Sequence, residues 1–150
     1  MRRLLTPLLL AATLGLAAAP ANAVFPEPIP PNELSRIRDQ IEAGKAQTAL
    51  DALRPLIESE TYEADVLNLM GYAYRKMGQY AESRLHYTRA LRLDPRHRGA
   101  LEYMGELELE TGDPEAARAL LHRLEAACPT GCEELDDLHE AFEAHGIARD

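Results

Sequence analysis

The sequence predicts an all-α solenoid built from helix pairs, and three observations lead to that fold class. Four glycines stand 34 residues apart, at Gly44, Gly78, Gly112 and Gly146, and 34 residues is a period of helix–turn–helix repeat arrays. Apolar residues recur at helical spacing between these glycines. No run of residues alternates β-branched and aromatic side chains in the way that indicates a strand.

The first residues have the pattern of an export signal. Arg2 and Arg3 give a charged start, Leu4–Leu16 is largely apolar, and Ala21-Asn22-Ala23 has the small-x-small pattern of a cleavage site. We therefore expect residues 1–23 to be removed and the mature chain to be periplasmic. The apolar run is shorter than the roughly 20 residues that a membrane span needs. No second apolar run of that length follows, so no stable span is expected after cleavage. An uncleaved anchor is the alternative.

Composition narrows the choice of partner. The chain has 25 acidic and 16 basic residues, for a net charge of −9. Such acidity argues against nucleic acid as a partner and permits a basic protein or peptide. Both cysteines lie in the part that we expect to be exported, where an oxidising compartment lets disulfides persist.

A short linker precedes the repeats. Residues 24–31 contain four prolines, which fit neither a helix interior nor a central strand. Asn32 is a plausible N-cap for the first helix. The glycine spacing then divides a domain at residues 32–146 into repeats at about 30–63, 64–97 and 98–131, with a final cap at 132–146.

The second repeat has the clearest pattern. Its first helix carries one face of residues spaced by three or four, and its second helix carries another. Small residues at Gly71 and Ala90 allow the two antiparallel helices to approach closely, and Asp94-Pro95 ends the second helix. The two faces consist of Leu67, Met70, Gly71 and Tyr74, and of Ser83, Tyr87, Ala90 and Leu91.

These residues resemble a tetratricopeptide repeat. The matching positions in the second repeat are Leu67, Met70, Gly71, Tyr74, Gly78, Tyr87, Ala90 and Pro95. The third repeat matches through Leu101, Met104, Gly105, Gly112, Ala117, Leu121, Leu124 and Pro129. It departs at Glu108, where the family has an aromatic residue, and this departure predicts a less filled contact between repeats.

The two ends of the array fit the pattern less well. In the first repeat, Arg36 and Ile37 stand where an apolar and a small residue are usual, and Pro55 should loosen the second helix. At the other end, residues 133–145 form a single helix with an apolar stripe of Leu135, Leu138 and Phe142. The resemblance therefore implies a right-handed α-solenoid of three helix pairs closed by a C-terminal capping helix.

The two cysteines of the chain, Cys128 and Cys132, are only four residues apart. Pro129 and Gly131 form a turn between them that brings the two sulfurs within reach of each other. We expect a structural disulfide that fixes the capping helix. The alternative is a thiolate site for copper(I) or zinc that recruits His122 or His139. A redox-active Cys-x-x-Cys and a haem-binding Cys-x-x-Cys-His are both absent from the sequence.

The sequence offers no constellation for catalysis. Its histidines form neither His-x-x-x-His nor His-Glu-x-x-His, and no serine lies in a Gly-x-Ser-x-Gly turn. We expect no enzyme activity, no cofactor and no dedicated metal site, and we expect the histidines to be solvated. The histidines are His86, His97, His122, His139 and His145.

A basic stretch covers the second helix of the second repeat and the loop that follows. One interpretation is a solvated face whose charge suits the C-terminus of a helix. The other is a surface that docks an acidic partner, including the acidic end of another copy, so self-association is open. The stretch comprises Arg84, His86, Arg89, Arg92, Arg96, His97 and Arg98.

The resemblance implies a binding groove lined by the first helix of each pair. The residues that we predict to contact a partner are Arg38, Asn68, Tyr72, Arg75, Glu102, Tyr103, Glu106 and Glu140. Asp65 and Asp136 are further groove positions. Family members that bind chaperones clamp a terminal carboxylate with a lysine, asparagine and arginine set, which this chain lacks. We instead expect a basic or polar segment held by Tyr72 and Tyr103 and flanked by carboxylates.

The predicted function is therefore that of a non-catalytic adaptor or assembly factor. It would bind another exported protein or peptide in the groove of the solenoid. The alternative function is a thiol- or metal-handling accessory protein that uses Cys128 and Cys132.

Overall fold

The computed structural model describes residues 32–57 and 63–149, and these residues form an all-α structure. The predicted signal at 1–23 and linker at 24–31 lie outside the described residues. Within the described ranges there is no strand, and no helix is both long enough and apolar enough to cross a bilayer. The helices are α1 (Glu33–Glu42), α2 (Ala46–Leu53), α3 (Glu63–Lys76), α4 (Tyr80–Leu93), α5 (Arg98–Thr111), α6 (Pro114–Ala127) and α7 (Glu133–Ala144).

The helices stack as three pairs and a cap. Helices α1 and α2, α3 and α4, and α5 and α6 pack against each other, and α7 closes the array on α5 and α6. The first helices also contact one another in series, from α1 to α3 to α5 to α7. They therefore form one side of an α-solenoid, and the predicted fold class is confirmed.

The glycine period reflects the end of each first helix. Gly44, Gly78, Gly112 and Gly146 have φ values of 75°, 72°, 83° and 66°, in the left-handed region that favours glycine. Gly112, for example, is the left-handed C-cap of α5. The repeated turn thus sets the 34-residue period that is visible in the sequence.

Close packing inside the second pair depends on Gly71. A Cβ atom at this position would lie 2.5 Å from Cε1 of Tyr87, whose ring is fully buried between the helices. Gly105 has the same role at the cap, since a Cβ atom there would lie 2.8 Å from Cδ1 of Leu138. Both glycines allow a large apolar side chain to lie directly on the backbone of the facing helix.

The first pair is shorter than the others, as its sequence predicts. Helix α2 has eight residues, and Pro55 falls in a 3₁₀ turn that follows it. Ile37 is 1% exposed and supplies the apolar contact of α1. Arg36 points to solvent and pairs with Glu33 at 2.8 Å. The departures from the repeat pattern are therefore accommodated without loss of the pair.

We expect Gly71→Ala to lower the free energy of unfolding by about 1–2 kcal/mol. Overpacking against Tyr87 costs about 1–3 kcal/mol, which exceeds the gain of up to about 1 kcal/mol in helix propensity. Chemical denaturation measures the loss. In a Gly71→Ala/Tyr87→Leu double variant the two losses should fall short of additivity, because the smaller side chain relieves the clash. Strictly additive losses would contradict this account of the packing.

Candidate functional site

A concave groove runs along the side formed by the first helices. Its first part, of about 550 Å³, lies between α1, α3, α5 and the start of α7. Its second part, of about 360 Å³, continues along the same helices toward their C-terminal ends. Glu42, Glu102, Tyr103 and Asp137 line both parts, so we treat the two as one groove.

All eight residues predicted to contact a partner line this groove. Arg38 and Asn68 lie in the first part, whereas Tyr72, Arg75, Glu106 and Glu140 lie in the second. Glu102 and Tyr103 lie in both. Their contact with a partner stays a prediction.

The cap contributes a different aspartate from the one expected. Asp136 is exposed but lies outside both parts of the groove, whereas Asp137, one position along α7, lines both. One residue turns a side chain by about 100° on a helix, so the two aspartates point in different directions. The sequence pattern alone did not fix the register of the cap.

The two groove tyrosines contact each other. The rings of Tyr72 and Tyr103 stack with centroids 4.6 Å apart and planes at 13°, which joins α3 to α5. Tyr72 is 8% exposed, and Lys76 Nζ lies 5.6 Å from the centroid of its ring. Tyr72 therefore has little exposed surface to offer a partner, and its contact with one stays a prediction. Its ring is used to join two repeats.

Arg75 is also used within the protein. Its guanidinium donates to Glu110 Oε1 at 2.9 and 3.1 Å and pairs with Glu106, so it ties α3 to α5. Burial alone would lower the pKa of Arg75, but the hydrogen bond to Glu110 and the charge of Glu106 outweigh it and raise the pKa. Arg75 therefore contributes little free positive charge to the groove.

Glu102 lies at the base of the groove, where its carboxyl is buried. It is 5% exposed, and it forms no hydrogen bond or ion pair with any residue in the described ranges. Burial, followed by the charges of Glu106 and Asp137, raises the pKa of Glu102 to about 9. At neutral pH its carboxyl is therefore protonated, and it is a neutral group that a bound cation could ionise.

The expectation of solvated histidines is wrong at two positions. His97 Nδ1 accepts a hydrogen bond from Ala100 N at 3.1 Å and caps α5, while Nε2 lies 3.0 Å from Asp65 Oδ1. The hydrogen bond from His97 lowers the pKa of Asp65. His86 is buried and stacks on Tyr74 at 5.1 Å between centroids. The sequence did not predict these two contacts, because each histidine meets a residue of another helix: Asp65 and Tyr74 both lie on α3.

At Glu108, α5 packs closely against α4 of the preceding repeat. Its carboxylate is 4% exposed and accepts from Arg84 Nε at 2.8 Å and Nη2 at 2.6 Å. The bidentate pair replaces an aromatic contact between repeats with a charge-assisted one. The expected gap is therefore absent, and the charge of Arg84, a member of the basic stretch, is used in this contact between repeats.

Other members of the basic stretch also join repeats. Arg96 Nη2 donates to the carbonyl of Ala126 at 3.1 Å, and Arg98 Nε lies 3.6 Å from Glu134 Oε1. Arg89 and Arg92 have no ion pair with the residues that the structure describes. One part of the basic stretch therefore joins neighbouring repeats. The other part, with Arg89 and Arg92, lies on the outer face of α4.

Cys128 and Cys132 lie at disulfide distance, with Cα atoms 5.8 Å apart, at the junction between α6 and α7. Within the described ranges the Glu134 carboxylate is the third group near both sulfurs, all within 4.8 Å. His122 and His139, which the metal-site alternative invoked, are not in that cluster. A bonded pair offers no thiolates, so metal binding there would first require reduction.

Comparison with known sequences gives a family and one curated relative. Residues 68–131 match the tetratricopeptide repeat family, so the resemblance found in the sequence is confirmed. Cellulose synthase 2 operon protein C of Komagataeibacter xylinus is 31% identical over 103 residues. That alignment covers 69% of this chain but 8% of the relative, so the chain matches a small part of a much longer protein.

Solved structures share the fold. The first tetratricopeptide repeat domain of Spaghetti (RPAP3), bound to the HSP90 peptide SRMEEVD, has a TM-score of 0.60 at 17% identity and covers 75% of this chain and 89% of that chain. The first such domain of human RPAP3 has a TM-score of 0.60 at 16% identity, covering 75% and 91%. PcrH, in complex with the chaperone-binding region of PopB, has a TM-score of 0.60 at 18% identity, covering 78% and 97%.

We expect Glu102→Gln to become stabilising as the pH rises. The pKa of Glu102 is about 9 in the folded protein and 4.5 as its ordinary value, so folding takes up a proton between these pH values. The wild type therefore loses stability with rising pH, by up to about 1.4 kcal/mol per pH unit, and glutamine removes that loss. Chemical denaturation at pH 5, 7 and 8.5 measures the difference, and the same substitution at an exposed position of α6, Glu115→Gln, is the control. A wild-type-to-variant difference that is constant across these pH values would contradict the assignment.

We also expect Cys128 and Cys132 to be bonded in the exported protein. Intact-mass measurement after alkylation, with and without reductant, should show modification only after reduction. Free thiols at both positions, together with stoichiometric copper or zinc, would instead support the metal-handling alternative.

Proposed function

Because this chain is a tetratricopeptide repeat protein, we propose that it is a non-catalytic adaptor or assembly factor. It binds an extended or helical segment of another protein in the concave groove. The observation that carries the proposal is an open groove, lined by the first helix of each of the three pairs and by the cap, on a scaffold of repeats that pack on one another.

The groove is prepared for binding by contacts that lie beneath it. The Tyr72–Tyr103 stack and the Arg75 ion pairs connect α3 to α5, and the Cys128–Cys132 pair lies at the start of α7. These ties order the lining before a partner arrives, so less conformational entropy is lost on binding.

Charge supports a basic partner segment. Acidic side chains outnumber lysine and arginine around the groove, and two of the arginines, Arg75 and Arg98, already pair with carboxylates. Carboxylates gathered on one surface attract a segment of opposite charge and repel an acidic one. The acidic lining consists of Glu42, Asp65, Asp94, Glu102, Glu106, Glu133, Glu134, Asp137 and Glu140.

Proteins of the same fold bind segments of other proteins. PcrH binds the chaperone-binding region of PopB, and the RPAP3 domain binds the HSP90 peptide SRMEEVD. The latter peptide carries two glutamates and an aspartate against one arginine. The acidic groove of this chain is a poor match to it, so we propose the shared mode of binding with a different, basic class of segment.

We place the protein in the periplasm on its sequence alone. Arg2, Arg3 and the apolar run at Leu4–Leu16 precede a small-x-small pattern at residues 21–23. The partner is then another exported protein, or the exported part of a membrane protein.

We expect a photo-crosslinker placed at Lys76 or Glu140 to capture the partner in cells. Both side chains are exposed and line the groove, whereas Tyr72 is unsuitable because a bulky replacement would break its stack. Crosslinkers at Arg92 and Leu93, exposed on α4 outside the groove, are the controls. Mass spectrometry of the adducts identifies the partner and the crosslinked segment. Adducts from α4 without any from the groove would overturn the proposal.

A further inference from the structure

The base of the groove contains an acceptor without a donor. Asn68 is 3% exposed, and its Oδ1 has no hydrogen-bond partner in the part of the chain that the structure describes. Its side chain lines the first part of the groove beside Gly99, where a Cβ atom would lie only 3.0 Å from Asn68 Nδ2. Since a buried acceptor that lacks a donor is costly, this position favours a ligand that brings one.

Glu102 lines the same part of the groove one helical turn beyond Gly99. It too is buried and forms no hydrogen bond or ion pair with the described residues. Two buried polar groups with unused acceptor capacity therefore line one cavity, from α3 and from α5. A donor that also carries positive charge satisfies both groups better than a neutral one does.

The charges that face Glu102 come from every neighbouring helix. Two carboxylates of α7 and one of α5 repel a charge on Glu102, and one arginine of α1 favours it. The facing groups are Arg38, Tyr72, Tyr103, Glu106, Glu134 and Asp137. Burial raises the pKa of Glu102 most and the acidic balance of these charges adds to it, so the carboxyl keeps its proton until a cation arrives.

We propose that Asn68 and Glu102, two buried side chains that line the same part of the groove, form a socket for one lysine or arginine side chain of the bound segment. The inference rests on the proposed function, since it names the chemical group that the groove selects. The groove volume of about 550 Å³ is ample for such a side chain. Asn68 Oδ1 accepts from the cation, and the ionised carboxylate pairs with it.

The proton balance is simple. The free protein holds Glu102 as the neutral acid, and the complex holds a carboxylate paired with an ammonium or guanidinium group. The lost proton goes to the buffer, so about one proton is released per segment bound at pH 7. Affinity should therefore rise with pH up to the pKa of about 9 and level off above it.

The test uses the full-length protein and a hexapeptide library with blocked ends, so that side chains supply every charge. Immobilised protein should enrich lysine or arginine at one position. Replacing that residue by uncharged norleucine or citrulline should weaken binding about tenfold or more. Calorimetry of the selected peptide in phosphate and in Tris then gives the number of protons released.

Glu102→Gln should abolish the proton release and reduce the preference for a cation to less than about threefold, while Asn68→Leu should weaken binding without changing the proton count. Glu115→Gln, the same substitution at an exposed position of α6, should change neither. Thermal melts verify that each variant is folded.

Three results would overturn the socket: enrichment of uncharged peptides, cation selection that persists in folded Glu102→Gln, or selection of no peptide. None of them decides the proposed function, which depends on the groove crosslinks. Groove crosslinks together with any of these three results would retain the adaptor and reject the socket. Crosslinks confined to α4 would reject the adaptor itself.

Discussion

The packing of the second repeat, α3 and α4, on α5 is the contact on which the rest of this structure depends. A single helix pair cannot bury its apolar face, so each pair is stable only against the next. Here the stack of Tyr72 on Tyr103 and the ion pairs of Arg75 with Glu106 and Glu110 join the second and third repeats. On the other side of the array, Arg84 and Glu108 add a bidentate pair. The groove is the concave surface that this stacking creates.

The same contacts determine the charge of the groove. Arg75 and Arg98 are paired with carboxylates of α5 and α7, so their positive charge is largely cancelled where a partner would meet it. The cap adds Asp137 and Glu140 to the lining. The same pairs also cancel the charges of Glu106 and Glu134, so the groove is acidic because acidic residues outnumber lysine and arginine in its lining. Glu102, enclosed by this lining, keeps its proton because an additional charge there would be costly.

Several sequence-based expectations concerned the right residues but missed a contact that these residues make within the protein. Tyr72 and Arg75 do line the groove, but both are largely buried and hold repeats together. His97 is polar and lies outside any motif, yet it caps α5 and contacts Asp65. These roles depend on partners some 30 residues away in the chain. Local periodicity identifies which face of a helix a side chain occupies, but it does not identify the group that it meets.

The sequence by itself determined the fold class, the helix pairs and the period, because left-handed glycines and helical spacing are local properties. The sequence also predicted which residues line the groove, since each repeat places the same helix positions on the same surface. Only the tertiary structure decided which of these residues are already used in contacts within the protein. The register of α7 selected Asp137 over Asp136, and the burial of Glu102 changed an ordinary surface carboxylate into a protonated one. Burial and pairing are sums over several helices, so no single stretch of sequence contains them.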